Sequence, residues 1–355
     1  MDKSGAAAVQ DRQLPGAAED VVLLRRCVNE ALAGPQANPN PRVGAVIVDA
    51  EGEIVGIGHH LGAGTPHAEV EALAVAGTAA AGGTAYVSLE PCAHHGRTPP
   101  CTQALHDAGV TRVVFAHADP DARAAGGAAW LSQRGVAAHL LPLPEAEELV
   151  RHWSFAITHG RPWVTWKYAA TLDGRIAAAD GSSAWITSAS ARADVHLLRS
   201  QCGAIVVGTG TALADRPSLT ARHEDESLYA EQPLRVVVGR RDLPPDLPAE
   251  PLLQVTDRDP IGVVATLHTR GVRRVLVEGG PTLAAQWWQA GLVDEVVAYL
   301  APALLGSGAA AVGDLGIASM ADIARLEITD MTLVGPDVRI TARPAARPSN
   351  DQREA

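Results

Sequence analysis

The chain has 355 residues, 47% of them apolar, and a formal net charge of −11. That length suits two domains of ordinary size, and no apolar run approaches the ~18 residues of a membrane span. The acidic balance disfavours nucleic acid as a partner. Four cysteines are too few for a disulfide framework and fit a reducing, cytoplasmic setting, and Met1–Ala18 lacks the apolar segment of a secretory leader.

Val21, Leu24, Val28 and Leu32 recur at helical spacing, which predicts a helix over Asp20–Ala33 stopped by Gly34-Pro35. Strand-like Val43–Asp49 and Glu53–Gly58 flank the turn Ala50-Glu51-Gly52 and read as a hairpin. A helix over His67–Ala76, a strand over Thr84–Leu89, a short helix over Thr102–Ala108 and a strand over Val110–Ala116 follow. A helical stretch near Ala122–Arg134 and a strand at Val136–Leu141 complete an alternation that implies a mixed or parallel sheet between helices. Residues 19–148 are therefore assigned to a first domain, 149–159 to a linker within the helical segment Glu145–His159, and 160–343 to a second α/β domain.

In that second domain strand signals lie at Trp163–Ala169, Ala204–Gly208, Leu234–Gly239, Val272–Val277, Val293–Leu300, Leu326–Val334 and Val338–Thr341. Helical signals lie at Ser188–Ser200 and near Pro281–Ala290. Neighbouring Trp287 and Trp288 on one helix are not expected to face the same core. The polar end, residues 344–355, reads as a disordered tail.

Chemistry concentrates in His67-Ala68-Glu69, Pro91-Cys92 and Cys101. One imidazole and two thiolates form a zinc set with one corner open, the pattern of a catalytic rather than a structural site. Cys27 and Cys202 lie far from it, whereas His94 or His95 would close the fourth corner in a non-catalytic zinc module. Such a set lowers the pKa of bound water so that hydroxide is available near neutral pH. Glu69, which is not expected to be a ligand, would take the water proton and return it to a ring nitrogen and the departing ammonia. The order matches the H-x-E…P-C-x-x-C signature of zinc deaminases, except that eight residues, Ala93 to Pro100, separate the two cysteines.

Asn40-Pro-Arg-Val-Gly-Ala, His67-Ala-Glu and Leu89-Glu-Pro-Cys-Ala-His-His-Gly-Arg-Thr-Pro-Pro-Cys101 resemble the bifunctional riboflavin-biosynthesis deaminase–reductase family, in which the eight-residue gap is normal. Asp119-Pro120 and Gly126-Gly127 extend the likeness, although Asp121-Ala122 stands where the family has Asn-Pro. The resemblance implies a cytidine-deaminase-like three-layer α/β/α domain with one zinc ion. It places Asn40, His60 and Arg97 on a phosphorylated diaminopyrimidinone substrate. By residue type alone, Asn40 is equally a turn residue and His60 a polar strand end, while Arg97 suits a phosphate fork.

The second half carries further family strings: Lys167–Ala177, Gly181–Thr187, Arg192, His196–Arg199, Thr211–Arg222 and Val277–Thr282. They imply a dihydrofolate-reductase-like α/β domain with NADPH as hydride donor. The resemblance puts Ala169, Trp185, Thr187, Thr211, Asp215 and Gly280 at the cofactor, and Ser183, Arg199, Leu219, Arg222 and Glu278 at the substrate. Gly279-Gly280 between a strand and a helix would let the backbone approach a pyrophosphate. Arg199 and Arg222 are natural phosphate or ribose contacts, Asp215 is a candidate polar group beside the transferring carbon, and Trp185 by type is also a core aromatic. No residue is assigned to the 2′-phosphate that separates NADPH from NADH. A homo-oligomer, dimer or tetramer, is the family's expectation. The alternative reading, a nucleic-acid or free-nucleobase zinc deaminase with an accessory domain, calls for a two-residue cysteine gap and a basic face.

Overall fold

The computed structural model describes residues 16–36, 39–94, 99–243 and 252–345. These fall into two compact units, one built from the chain up to Pro35 with Pro41–Arg151, the other from Gln36–Asn40 with the chain from His152.

In the first unit the elements run α1 (Ala17–Ala31), β1 (Gly44–Val48), β2 (Ile54–His59), α2 (Ala68–Ala76), β3 (Thr84–Val87), α3 (Cys101–Asp107), β4 (Arg112–Phe115), α4 (Gly127–Ser132) and β5 (Ala137–Leu140), then the start of α5 (Pro144–His159). The sheet order is β2-β1-β3-β4-β5. β1 pairs antiparallel with β2 and β3, and β3, β4 and β5 run parallel. All five residues of β1 are buried, as expected of a strand covered on both faces. Leu24, Cys27 and Val28 of α1 close one face against Val46, Val48, Tyr86 and Val114. On the other face α2 lies directly on β2, since a Cβ at Gly56 or Gly58 would come within 2.2 Å of the Ala72 oxygen or 2.6 Å of the Ala68 oxygen. That seat fixes the start of α2, where the H-x-E motif sits. Beneath α1 the Arg112 guanidinium forks onto Asp20 at 2.6 and 2.9 Å, and the Tyr86 hydroxyl donates to the same carboxylate at 2.8 Å.

The second unit holds the end of α5, then β6 (Trp163–Thr171), α6 (Ala189–Ser200), β7 (Ala204–Gly208), α7 (Thr209–Asp215), β8 (Leu234–Val238), β9 (Leu252–Val255) and α8 (Pro260–Thr269). β10 (Arg274–Val277), α9 (Pro281–Gln289), β11 (Glu295–Ala301), β12 (Leu326–Val334) and β13 (Asp337–Pro344) complete it. Its sheet order is β12-β13-β11-β6-β10-β7-β8-β9, parallel from β11 to β9 and antiparallel at the β12 end. Alternation along the parallel strands divides two cores: Val206, Val236, Val275 and Val277 face α8 and α9, whereas Ile205, Val207, Val237 and Leu276 face the other way. α7, β9 and α8 are absent from the sequence expectations, and the helix near Ala122–Arg134 is confined to Gly127–Ser132. The two tryptophans of α9 correct another expectation. Trp287 is fully buried in the core, and Trp288 packs partly buried against the same cluster with its ring 6.4 Å from that of Trp166. Two large indoles reach one core despite the 100° between successive helix positions.

Edge strand β12 is exposed along nearly its whole length. The register slips between Ile328 and Asp330, leaving Thr329 as a bulge. That extra residue keeps Leu326, Ile328, Met331 and Leu333, all exposed, in phase on one face. Of the expected tail, residues 346–355 lie outside the described part, as do Met1–Pro15.

Candidate active sites

His67 is the N-cap residue of α2, Glu69 lies in its first turn, Cys92 follows β3 and Cys101 opens α3. The His67 Nδ1 atom stands 3.2 Å from Cys101 Sγ and 3.7 Å from Cys92 Sγ, and the three donor atoms lie within 4.8 Å of one another. Tetrahedral zinc with bonds of ~2.0–2.3 Å needs donor separations of roughly 3.5–3.8 Å, so the set fits the ion. Among the described residues this is the one group of at least three such donors, and His94 is outside it; His95 lies beyond the described residues.

The surroundings pre-shape the set. The Cys101 amide donates to Cys92 Sγ at 3.4 Å, and the amide and hydroxyl of Thr102 both donate to the Cys92 carbonyl at 3.2 Å. The Cys92 thiol is held far below its ordinary range by the Cys101 thiol, then by His67, while the same contact and burial push Cys101 up. Burial lifts the Glu69 carboxyl to about 6, partly offset by the charge of His67. His60, at the end of β2, is buried with Nδ1 3.0 Å from the Pro66 carbonyl and its ring 5.2 Å from that of His67, edge to face. Gly127 lets α4 close over the Cys92 loop: a Cβ there would stand 1.8 Å from the Pro91 oxygen.

In the second unit a cavity of about 650 Å³ opens along the C-terminal edge of the parallel strands, where open α/β sheets bind ligands. Ala169, Ser183, Thr211, Asp215, Glu278 and Gly280 line it. The fit to a dinucleotide is steric: a Cβ on Gly280 would meet nothing nearer than Thr211 Oγ1 at 3.8 Å, so glycine keeps open the space that a side chain would take at the N-terminus of α9.

These geometries coincide with matches to known proteins. Residues 18–117 match the cytidine and deoxycytidylate deaminase zinc-binding region and residues 162–340 the RibD C-terminal domain. The riboflavin biosynthesis protein RibD of Mycobacterium tuberculosis is 47% identical over 85% of this chain and 91% of its own length. RibD of Escherichia coli K12 is 42% identical over 90% and 98%. Among solved structures, Acinetobacter baumannii RibD superposes with a TM-score of 0.86 at 35% identity, covering 93% of this chain and all of that one. A Thermotoga maritima diaminohydroxyphosphoribosylaminopyrimidine deaminase/5-amino-6-(5-phosphoribosylamino)uracil reductase gives 0.82 at 28% over the same shares.

The chain belongs to the RibD family. It is a bifunctional riboflavin-biosynthesis enzyme, a zinc deaminase joined to an NADPH-dependent reductase.

Asn40 groups with the second unit, where Arg273 donates to the Pro39 carbonyl at 3.0 Å. Arg97 lies outside the described residues. Arg199 forks onto Glu278 at 2.7 and 2.9 Å and also donates to the Thr220 carbonyl. Leu219 turns its side chain into the core at a positive φ of 50°, which leaves its backbone for any ligand. Arg222 bonds Thr220 and Glu226, Trp185 is exposed beneath the Arg192 guanidinium, and the Thr187 carbonyl accepts from Arg192 at 2.9 Å. None of Trp185, Thr187, Arg199, Leu219 and Arg222 lines the cavity.

Lys167 was not singled out by residue type, yet its ammonium lies in the cavity wall 3.7 Å from Glu278. Burial lowers its pKa, an effect that Glu278 opposes. Burial alone would raise Glu278, but Arg199 and Lys167 outweigh it and hold the carboxyl at about 2. Only the sheet order, which brings β6 beside β10, reveals this triad.

Proposed function

We propose that His67, Cys92 and Cys101 hold the zinc ion and that Glu69 carries protons in the deamination of 2,5-diamino-6-(5-phosphoribosylamino)pyrimidin-4(3H)-one. The convergence of the three donor atoms beside a buried carboxyl carries this reading. Zinc, when bound, supplies the Lewis acidity that makes water nucleophilic near neutral pH. Glu69, its carboxyl lifted toward neutrality by burial, accepts the water proton as oxygen adds to the ring carbon and returns it as that carbon loses ammonia. His60, beside His67, Asn40, and Arg97 in the inter-cysteine loop are assigned to the base and phosphate of the substrate.

When bound in the second unit, NADPH would supply the hydride equivalent that converts the ribosyl chain to a ribityl group. Ala169, Thr211, Asp215 and Gly280 are assigned to the cofactor along the cavity, and Trp185 and Thr187 are assigned to the same cofactor. Ser183 and Glu278 are assigned to the sugar, Leu219 through its backbone and Arg222 to the phosphate, and Arg199 acts by fixing the Glu278 carboxylate. Lys167 joins this group as a cation facing the same space.

The exposed apolar ridge on β12 supports a homo-oligomer, dimer or tetramer, in which a second copy covers that edge. Four free, buried cysteines favour a cytoplasmic setting; among the described residues no helix is long and apolar enough to cross a membrane. Supplying the diaminopyrimidinone ribosyl phosphate to zinc-loaded protein, and following ammonia and then NADPH oxidation, tests the assignment. Ammonia released at full rate by a zinc-retaining Glu69→Gln variant would remove Glu69 from its role.

A further inference from the structure

Lys167 presents a charged amine to the cavity with only a loose carboxylate partner. The Glu278 oxygen nearest its Nζ stands 3.7 Å away, and that carboxylate is already forked by Arg199 at 2.7 and 2.9 Å. Burial disfavours the charged form of the amine. A second source of negative potential is therefore needed at this position.

Sheet register supplies one. In the β6–β11 pair Val297 lies opposite Lys167 and Tyr299 opposite Ala169, which sets the Tyr299 ring on the Lys167 face of the sheet. The ammonium lies 5.8 Å from the centre of that ring, inside the ~6 Å reach of a cation–π contact. Tyr299 is buried and packs against Ala191 and Val195 of α6. Its hydroxyl donates to Asp194 Oδ2 at 2.6 Å, and Arg339 donates to both oxygens of the same carboxylate at 3.0 Å. Arg339 stands opposite Tyr299 on β13 and also reaches Asp330 on β12 at 3.1 Å. Burial, and then the bond to Asp194, push the phenol up, so Tyr299 meets the ammonium as a neutral ring.

We propose that Tyr299 is a positioning residue of the reductase: its face holds the Lys167 ammonium in the cavity wall, and Asp194 and Arg339 hold the ring. This rests on the reductase assignment of the cavity, in which Lys167 faces the substrate. A ring face stabilises the charge without claiming one particular N–H, which leaves donors for the oxygens of a sugar. Charge that develops as the ribosyl chain is reduced then meets a cation already in place.

Steady-state NADPH oxidation by the zinc-loaded full chain, supplied with separately deaminated substrate, tests the proposal, and ammonia release by the same samples reports on the fold. Tyr299→Phe keeps the ring and should lower kcat no more than about threefold, the scale of one lost hydrogen bond. A trifluorinated phenylalanine, introduced at the same position by codon suppression, keeps the shape but withdraws electron density from the ring face. It should lower kcat about tenfold further and move the alkaline limb of the kcat profile about one pH unit down, because the ring face favours the charged amine. The KM for NADPH should stay unchanged. Glu278 of β10 and Arg199 of α6 act on the same ammonium and Asp215 of α7 lines the same cavity, and all three are identical in the two variants. Equal kcat values and coincident alkaline limbs for the two ring variants overturn the proposal, as does a fall in ammonia release that matches the fall in NADPH oxidation. Wild-type protein that releases ammonia yet oxidises no NADPH would overturn the reductase assignment itself.

Discussion

The two catalytic regions are built on opposite plans. The zinc centre draws its donors from residues 67 to 101, buries the two cysteines, and brings three atoms within 4.8 Å. The reductase centre gathers Lys167, Thr211, Glu278 and Arg241 from a strand, a helix and two loops far apart in the chain. Metal chemistry needs a few short bonds of fixed geometry, which a helix start and two nearby cysteines can supply. A dinucleotide needs length, and a parallel sheet supplies it by placing successive loops along one edge.

The contrast can be broken or sharpened in order of expected effect. Removing one zinc donor with Cys101→Ser should lower ammonia release on the order of 10⁴-fold. NADPH oxidation with separately deaminated substrate should continue; if both activities fell together, the two centres would not be independent. Glu278→Gln should cut NADPH oxidation roughly 10²–10³-fold, since it removes the partner of both Arg199 and Lys167. Ammonia release gives the internal control.

Two stability effects should be smaller. Arg274 and Glu295 form a buried pair at 2.9 Å inside the second sheet, with Thr165 bonded to both. Glu295→Gln leaves an uncompensated guanidinium and should destabilise by about 3 kcal/mol in urea melts followed by reductase-unit fluorescence. Asp20→Asn in the first unit should cost about 2 kcal/mol at neutral pH. Burial pushes the Asp20 carboxyl up, but the bonds from Arg112 and Tyr86 prevail and lower it. A carboxyl lowered on folding stabilises fully above its unfolded pKa of about 4 and loses that contribution as pH falls through the folded value. Melts between pH 6 and pH 3 should therefore show the wild type converging on the variant from above; a gap that widens toward acid would contradict the bond pattern.

The zinc donors and Glu69 were legible in sequence because few residue types do that chemistry and their spacing is short. Gly127 was legible only as part of a family string; its reason, the Pro91 oxygen 1.8 Å from a would-be Cβ, is tertiary. The strands of the second domain were legible from apolar runs, but α7 begins Thr209-Gly210 and α8 begins at Pro260 after Asp257-Arg258-Asp259, which read as turns. Lys167 and Tyr299 stayed hidden because their meaning depends on which strand lies beside which. The pairing of Arg199 was hidden for the same reason, since its carboxylate partner lies 79 positions later.

Lys167 is one of only two lysines in the chain, the other being Lys3. A place so nearly empty of primary amines turns the cavity lysine into a reporter. A small amine-directed reagent, quenched and mapped by mass spectrometry, would read the occupancy of one reductase site without any engineered label. Protection of Lys167 on addition of cofactor, compared with its labelling in the free protein, would measure cofactor binding directly.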